Sequence, residues 1–294
     1  MATLSQWVQG ARPRTLPAAV APVLVGTGAA YAIGSGDSGY ALLALMVSLS
    51  LQVGVNFAND YSDGIRGTDA DRVGPVRLVG QQLARPGDVR LAATLSFAAA
   101  ALVGLALVAL SGAFVMLALG AASIAAAWYY TGGKRPYGYS GLGEVFVFVF
   151  FGLVATLGTT YTQALTLSVP AIAGAVGVGA LASAILVANN LRDIPSDREH
   201  GKRTLAVRLG DARTRQLYAG LLLVAFACVL VAGAINRTAL IALLSLVLAV
   251  PLVRRVRGGD LGRDLVPVLS GTGRLELVYG VLLAIGLTAA PHIG

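Results

Sequence analysis

Charge is what this chain has least of. Only 12% of its 294 residues are Asp, Glu, Lys or Arg, against about 25% in soluble domains. That shortage excludes an ordinary water-facing surface for a chain of this length. Cysteine is down to a single residue, Cys228, inside an apolar run, so no internal disulfide can form. The two histidines, His200 and His292, are too scattered to build a zinc centre. Lysine occurs only as Lys134 and Lys202.

What fills the space is apolar. Hydrophobic residues make up 56% of the chain and the mean hydropathy is +0.75. A helix that crosses a bilayer needs about 20 such residues. Nine runs approach or meet that length: 15–34, 40–60, 91–110, 112–131, 141–162, 168–191, 216–235, 238–253 and 275–290. The pattern predicts an all-α, polytopic membrane bundle of nine transmembrane helices, forming one domain over 1–294 with the lipid bilayer as its solvent.

The net charge is +8. In a soluble protein that would suggest nucleic acid. Here the distribution explains it, and no nucleic-acid partner is expected. Every Lys and Arg except Arg237 falls in the N-terminal segment or in the connections after the second, fourth, sixth and eighth runs. By the positive-inside rule these lie in the cytoplasm, which puts the N-terminus inside and the C-terminus outside. The outer connections are short. The inner ones at 61–90 and 192–215 are long and are expected to cap a functional site on the cytoplasmic side.

Acid is concentrated on that side. Four of the 14 acidic residues lie between Asp60 and Asp71, in Asn56-Phe-Ala-Asn-Asp60-Tyr-Ser-Asp63-Gly-Ile-Arg66 and the residues just after it. A second cluster reads Asn189-Asn190-Leu-Arg192-Asp193-Ile-Pro-Ser-Asp197, followed by Lys202. Both contain Asn-x-x-x-Asp, as Asn56/Asp60 and Asn189/Asp193, and both follow an apolar run. On a helix, Asn56, Asp60 and Asp63 share one face. Asp197 falls beyond Pro195, in a loop or the first turn of a new helix. Carboxylates at helix C-termini crowd the negative end of the dipole, and a bound cation relieves that. Oxygen donors without soft ligands suit Mg²⁺, which keeps some waters and bridges to phosphate. The metal set is therefore Asn56, Asp60, Asp63, Asp193 and Asp197, with the four aspartates as the catalytic group. Arg66, Arg72, Arg77, Lys134, Arg192 and Lys202 are candidates to hold a diphosphate beside it. Asn56, Asn189 and Asn190 are expected to contact substrate.

At these residues the chain resembles the UbiA superfamily of intramembrane prenyltransferases, and within it the naphthoate branch. The stretches that carry the resemblance are Ala11-Arg12-Pro-Arg14-Thr15, Asn59-Asp60-Tyr-Ser-Asp63-Gly, Asp71-Arg72-Val-Gly-Pro-Val-Arg77, Tyr130-Thr-Gly-Gly-Lys134-Arg-Pro-Tyr137-Gly-Tyr139 and Asn189-Asn190-Leu-Arg192-Asp193-Ile-Pro-x-Asp197. Many superfamily members space the first motif Asn-x-x-x-Asp-x-x-x-Asp. Here Asp63 comes one residue early, so either Asp63 or Asp69 completes the ligand set.

The resemblance implies transfer of a polyprenyl group from polyprenyl diphosphate to 1,4-dihydroxy-2-naphthoate, with CO₂ and pyrophosphate released, in a bacterial cytoplasmic membrane. It adds Tyr137 and Tyr139 to the substrate-binding residues and suggests Arg12 for the acceptor's carboxylate. Two other classes share part of this pattern. A CDP-alcohol phosphotransferase also carries Asp-x-x-Asp-Gly, but the residues that should follow are missing. A transporter would place charge near mid-span, where these runs are apolar.

Overall fold

The computed structural model describes residues 2–67 and 76–289. Ten helices dominate: α1 Leu4–Gly10, α2 Pro17–Ala32, α3 Ser38–Ile65, α4 Pro86–Ser111, α5 Val115–Tyr129, α6 Gly143–Ala164, α7 Val169–Glu199, α8 Asp211–Ile235, α9 Arg237–Arg257 and α10 Gly262–Thr288. There is no strand among the described residues. Local signals set the starts. Asp37 accepts a hydrogen bond from the Tyr40 amide at 2.8 Å ahead of α3, and the Ser168 hydroxyl caps α7 through the Ala171 amide.

Each of the nine apolar runs is helical. Seven helices, α3, α4 and α6 to α10, are long and apolar enough to cross a membrane, and α1–α2, bent by 48° at their junction, make an eighth if taken as one span. α5 is a shorter apolar helix of 15 residues. Leu102, Leu110, Leu223 and Val247 point outward from the bundle, all more than half exposed. In a multi-pass protein these side chains meet lipid.

Two expectations need correction. α3 continues to Ile65 and α7 to Glu199, so the inner connections narrow from 61–90 to 66–85 and from 192–215 to 200–210. The second contains a short helix, Leu205–Leu209. Pro195 does not end α7. It lies on the exposed side of the helix, while Asn190, Asp193 and Asp197 face inward. Asp197 is therefore a helical residue.

α7 is the central post. In its most apolar stretch 78% of residues are buried, against 33% for α3. Val25 of α2, Leu181 of α7, Leu222 of α8 and Leu283 of α10 belong to one core. Hydrophobicity cannot drive helices together in lipid, so close packing must. One such close crossing joins α6 to α7. A Cβ built on Gly152 would lie 2.4 Å from the Gly179 Cα. α6 also contains a π-helical segment, Phe148–Val154, which turns that part of the helix against α7.

Gly152→Val should therefore force α6 and α7 apart and cost about 1–3 kcal/mol. Gly220→Ala, at a position with nothing within 4 Å, should be neutral or mildly stabilising. Thermal unfolding of the two purified variants checks this. Equal melting temperatures would count against the crossing as a packing determinant.

Candidate active site

Two Asn-x-x-x-Asp pairs overlap at the end of α3, one turn apart, and contacts separate them. Asn56 donates from Nδ2 to the Ala11 carbonyl and to Thr15 Oγ1, each at 2.9 Å. Gln52 reaches the same Thr15 oxygen at 2.8 Å. Together they secure the turn around Arg12, whose φ of 54° lies in the left-handed region. Asp60 is fully buried. Its Oδ2 accepts from the Leu78 amide at 2.7 Å and its Oδ1 from the Val79 amide at 3.1 Å. This pair braces the N-terminal segment and the turn after residue 76. Both Asp60 oxygens thus accept from backbone amides, whereas Asn56 meets the backbone only through its amide nitrogen.

The second pair, Asn59 and Asp63, meets side chains from the two facing connections. Asn59 Oδ1 accepts from Thr131 Oγ1 at 2.8 Å. Asp63 accepts from the Tyr139 hydroxyl, and Lys202 Nζ lies 3.8 Å from the same oxygen. Sequence reasoning passed over Asn59 because it took the first asparagine as the start of the motif. The same i, i+4 spacing counted from Asn59 would have found it.

On α7, Arg192 grips Asp193 with two nitrogens, Nε at 2.6 Å and Nη2 at 2.8 Å. Its Nη2 also reaches Asn189 Oδ1 at 2.9 Å. Asp197 is buried and accepts weakly from the Thr204 hydroxyl at 3.5 Å. The backbone amide of Lys202 bonds the Asp197 carbonyl at 2.8 Å. Lys202 thus starts at the second cluster and ends at the first, and the two clusters face each other as expected. Asn190 donates from its amide nitrogen to Glu144 Oε1 at 2.9 Å.

The segment between α5 and α6 closes the gap. Arg66 donates to the Thr131 and Gly133 carbonyls, so it holds this segment in place. Tyr139 carries Lys202 Nζ 4.5 Å from its ring centre and the Arg66 guanidinium at 5.7 Å. The Arg203 amide donates to the Tyr139 carbonyl at 2.9 Å. Lys134 is exposed at the tip. Tyr137 stacks on Phe146 at 3.9 Å and donates to the Ala126 carbonyl. Burial pushes its phenol up, so it stays a donor. Arg77 is buried and Arg12 half-buried. Arg72 and Asp69 lie outside the described residues.

Beside Asn56 and Asn59 opens a cavity of about 480 Å³ between α3, α4, α5 and α6. Leu51, Leu105, Ile124 and Phe150 are typical of its wall, with Tyr130 and Tyr137 among its few polar residues. An apolar cavity with a few polar groups suits a long hydrocarbon carrying a polar head. Among the described residues no three His, Cys, Asp or Glu side chains converge as a metal-binding group. The donors present are carboxylate and amide oxygens. They fit a hard divalent cation that keeps waters and shares its remaining positions with phosphate.

Comparison with known proteins agrees with this picture. The profile of the UbiA prenyltransferase family matches residues 19–265. A 1,4-dihydroxy-2-naphthoate octaprenyltransferase from Mycobacterium tuberculosis is 56% identical over 97% of both chains. One from Escherichia coli is 41% identical over 96% of this chain and 94% of its own. A UbiA homolog from Archaeoglobus fulgidus bound to GPP and Mg²⁺ superposes with a TM-score of 0.72 at 14% identity, covering 97% of this chain and 100% of that one. At that identity the likeness shows the fold.

The backbone contacts of Asp60 make a stability prediction. Asn in its place keeps one acceptor oxygen and strands a buried amide, which costs about 1–3 kcal/mol. Asp60→Asn should melt below the parent without any ligand. An unchanged melting temperature would remove the bracing role.

Proposed function

The chain belongs to the UbiA prenyltransferase family, and from that premise we infer that it transfers a polyprenyl group from polyprenyl diphosphate to 1,4-dihydroxy-2-naphthoate. CO₂ and pyrophosphate leave, and the hydroquinone form of demethylmenaquinone results, a step of menaquinone biosynthesis. The observation that carries this reading is the joining of two acidic clusters through Lys202 and Tyr139 beside the polar end of an apolar cavity.

Asp63, Asp193 and Asp197 are the side chains assigned to hold Mg²⁺, with Asn59 beside them. A Mg²⁺ ion held there would supply charge neutralisation for the departing pyrophosphate. Lys202 and Arg192 add positive charge to the same face, and Lys134 and Arg72 are assigned to the outer phosphate. Arg66 positions the segment that carries Lys134. The isoprenoid tail lies in the cavity. Breaking its C–O bond leaves an allylic cation, which Leu51, Leu105 and Phe150 shield from water. The electron-rich acceptor ring forms the new C–C bond, and its carboxylate then leaves as CO₂. Arg12 suits that carboxylate, since a guanidinium can hold it with two parallel bonds.

We assign the protein to the bacterial cytoplasmic membrane as a single domain of nine spans. Its N-terminus is inside, its C-terminus is outside, and the connections after α3 and α7 cover the site. The alternation of basic connections supports this. A C-terminal reporter should be active only outside the cytoplasm, and a cytoplasmic signal would overturn the orientation.

The acceptor is tested with carboxyl-labelled 1,4-dihydroxy-2-naphthoate, and separately with 4-hydroxybenzoate, given the same prenyl diphosphate and Mg²⁺. One labelled CO₂ per prenyl transfer is expected from the naphthoate. Prenylation of 4-hydroxybenzoate with its carboxylate kept, and no labelled CO₂ from the naphthoate, would point to another branch of the family.

A further inference from the structure

Neither acidic motif contains Glu144, yet its carboxylate lies next to the second cluster. It sits in the first turn of α6, buried, with only 7% of its surface exposed. Two contacts fix it to α7. Its backbone carbonyl accepts from Ser183 Oγ at 3.2 Å, and its Oε1 accepts from Asn190 Nδ2 at 2.9 Å. Ser183 and Asn190 are two turns apart on one face of α7. The close Gly152–Gly179 crossing brings α6 near enough for both contacts. The positive end of the α6 dipole favours an acid in this turn.

An asparagine has two chemically different ends, and its surroundings decide which way each points. With its amide nitrogen drawn toward Glu144, Asn190 turns its oxygen the other way. Asn190, Asp193 and Asp197 follow i, i+3, i+7 on α7 and are all buried, so they share a face. An amide oxygen on that face suits a hard cation, whereas an NH₂ group would suit a phosphate oxygen. We propose that Glu144 is a positioning residue that orients Asn190 so that its oxygen joins the second cluster as a donor to the divalent cation. The proposal rests on the metal–diphosphate reading above and deepens it.

Glu144→Gln separates orientation from packing. The glutamine fills the same space but can both donate and accept, so it no longer dictates which end of Asn190 faces the cluster. The probe is Mn²⁺ with geranyl diphosphate and no aromatic acceptor, read as thermal stabilisation of the purified full-length protein. Glu144→Gln is expected to need about 10–100-fold more Mn²⁺ for half-maximal stabilisation, with its ligand-free melting temperature close to the parent's. Asn190→Ala should show a similar shift, and the double variant should show no more than Asn190→Ala alone. A parent-like Mn²⁺ midpoint in Glu144→Gln overturns the proposal, as does an additive double variant. Should Glu144→Gln fail to fold, a parent-like midpoint in Asn190→Ala overturns it as well. If the parent itself shows no Mn²⁺-dependent stabilisation, the metal–diphosphate reading fails and the proposal falls with it. The labelled-CO₂ experiment does not depend on any of these outcomes.

Discussion

Buried carboxylates at the C-terminal ends of two helices are opposed by electrostatics, and the rest of the site answers that opposition. Each helix brings the negative end of its dipole, and burial removes the water that would screen the acids. Arg192 grips Asp193 directly, with two short contacts. Lys202 serves Asp63 at 3.8 Å, a longer contact from a flexible side chain that acts as a point charge. The two acids are therefore compensated differently. The Arg192 pair is rigid and local to α7. The Lys202 contact spans both clusters and is the one an incoming cation can displace at small structural cost. Tyr139 lies between them, giving its hydroxyl to Asp63 and its ring face to Lys202.

The fold serves this arrangement by packing backbone on backbone. α7 is buried along most of its length, and small residues allow α6 to touch it. That contact sets the depth at which α6 begins, and so brings Glu144 to Asn190. On the other side of α6, Phe146 and Phe150 form part of the cavity wall. One helix thus separates the apolar space for a hydrocarbon from the polar ground for its head. A shift of α6 along α7 would disturb both sides together.

Hydropathy passed over the short α1, which carries no long apolar run, but made the helices α2 to α10 legible, because lipid demands long apolar runs and little else. It could not find their inner ends, since the polar last turns of α3 and α7 read as loop. Pro195 misled for a related reason. A local rule against helix yields where the proline ring is exposed and the opposite face is held by buried side chains. The acidic clusters were legible as a pair, and so was their mutual approach. The register within the first was not. Asn56/Asp60 and Asn59/Asp63 have identical spacing and neighbouring faces, and only the partners Leu78, Val79, Thr131 and Tyr139 tell them apart. Glu144 was hidden inside an apolar run, where a single acid gives no pattern.

Arg66 holds the segment between α5 and α6 by the carbonyl oxygens of Thr131 and Gly133. Every amino acid has such an oxygen, so this clasp recognises the path of the chain and ignores what the side chains are. Exposed positions such as Lys134 and Arg135 can change reach, charge or bulk while the segment stays where it is, whereas Thr131, Tyr137 and Tyr139 hold it through their side chains. The brace and the variable part are uncoupled, and that gives a lineage room to try new substrates without first learning to fold again.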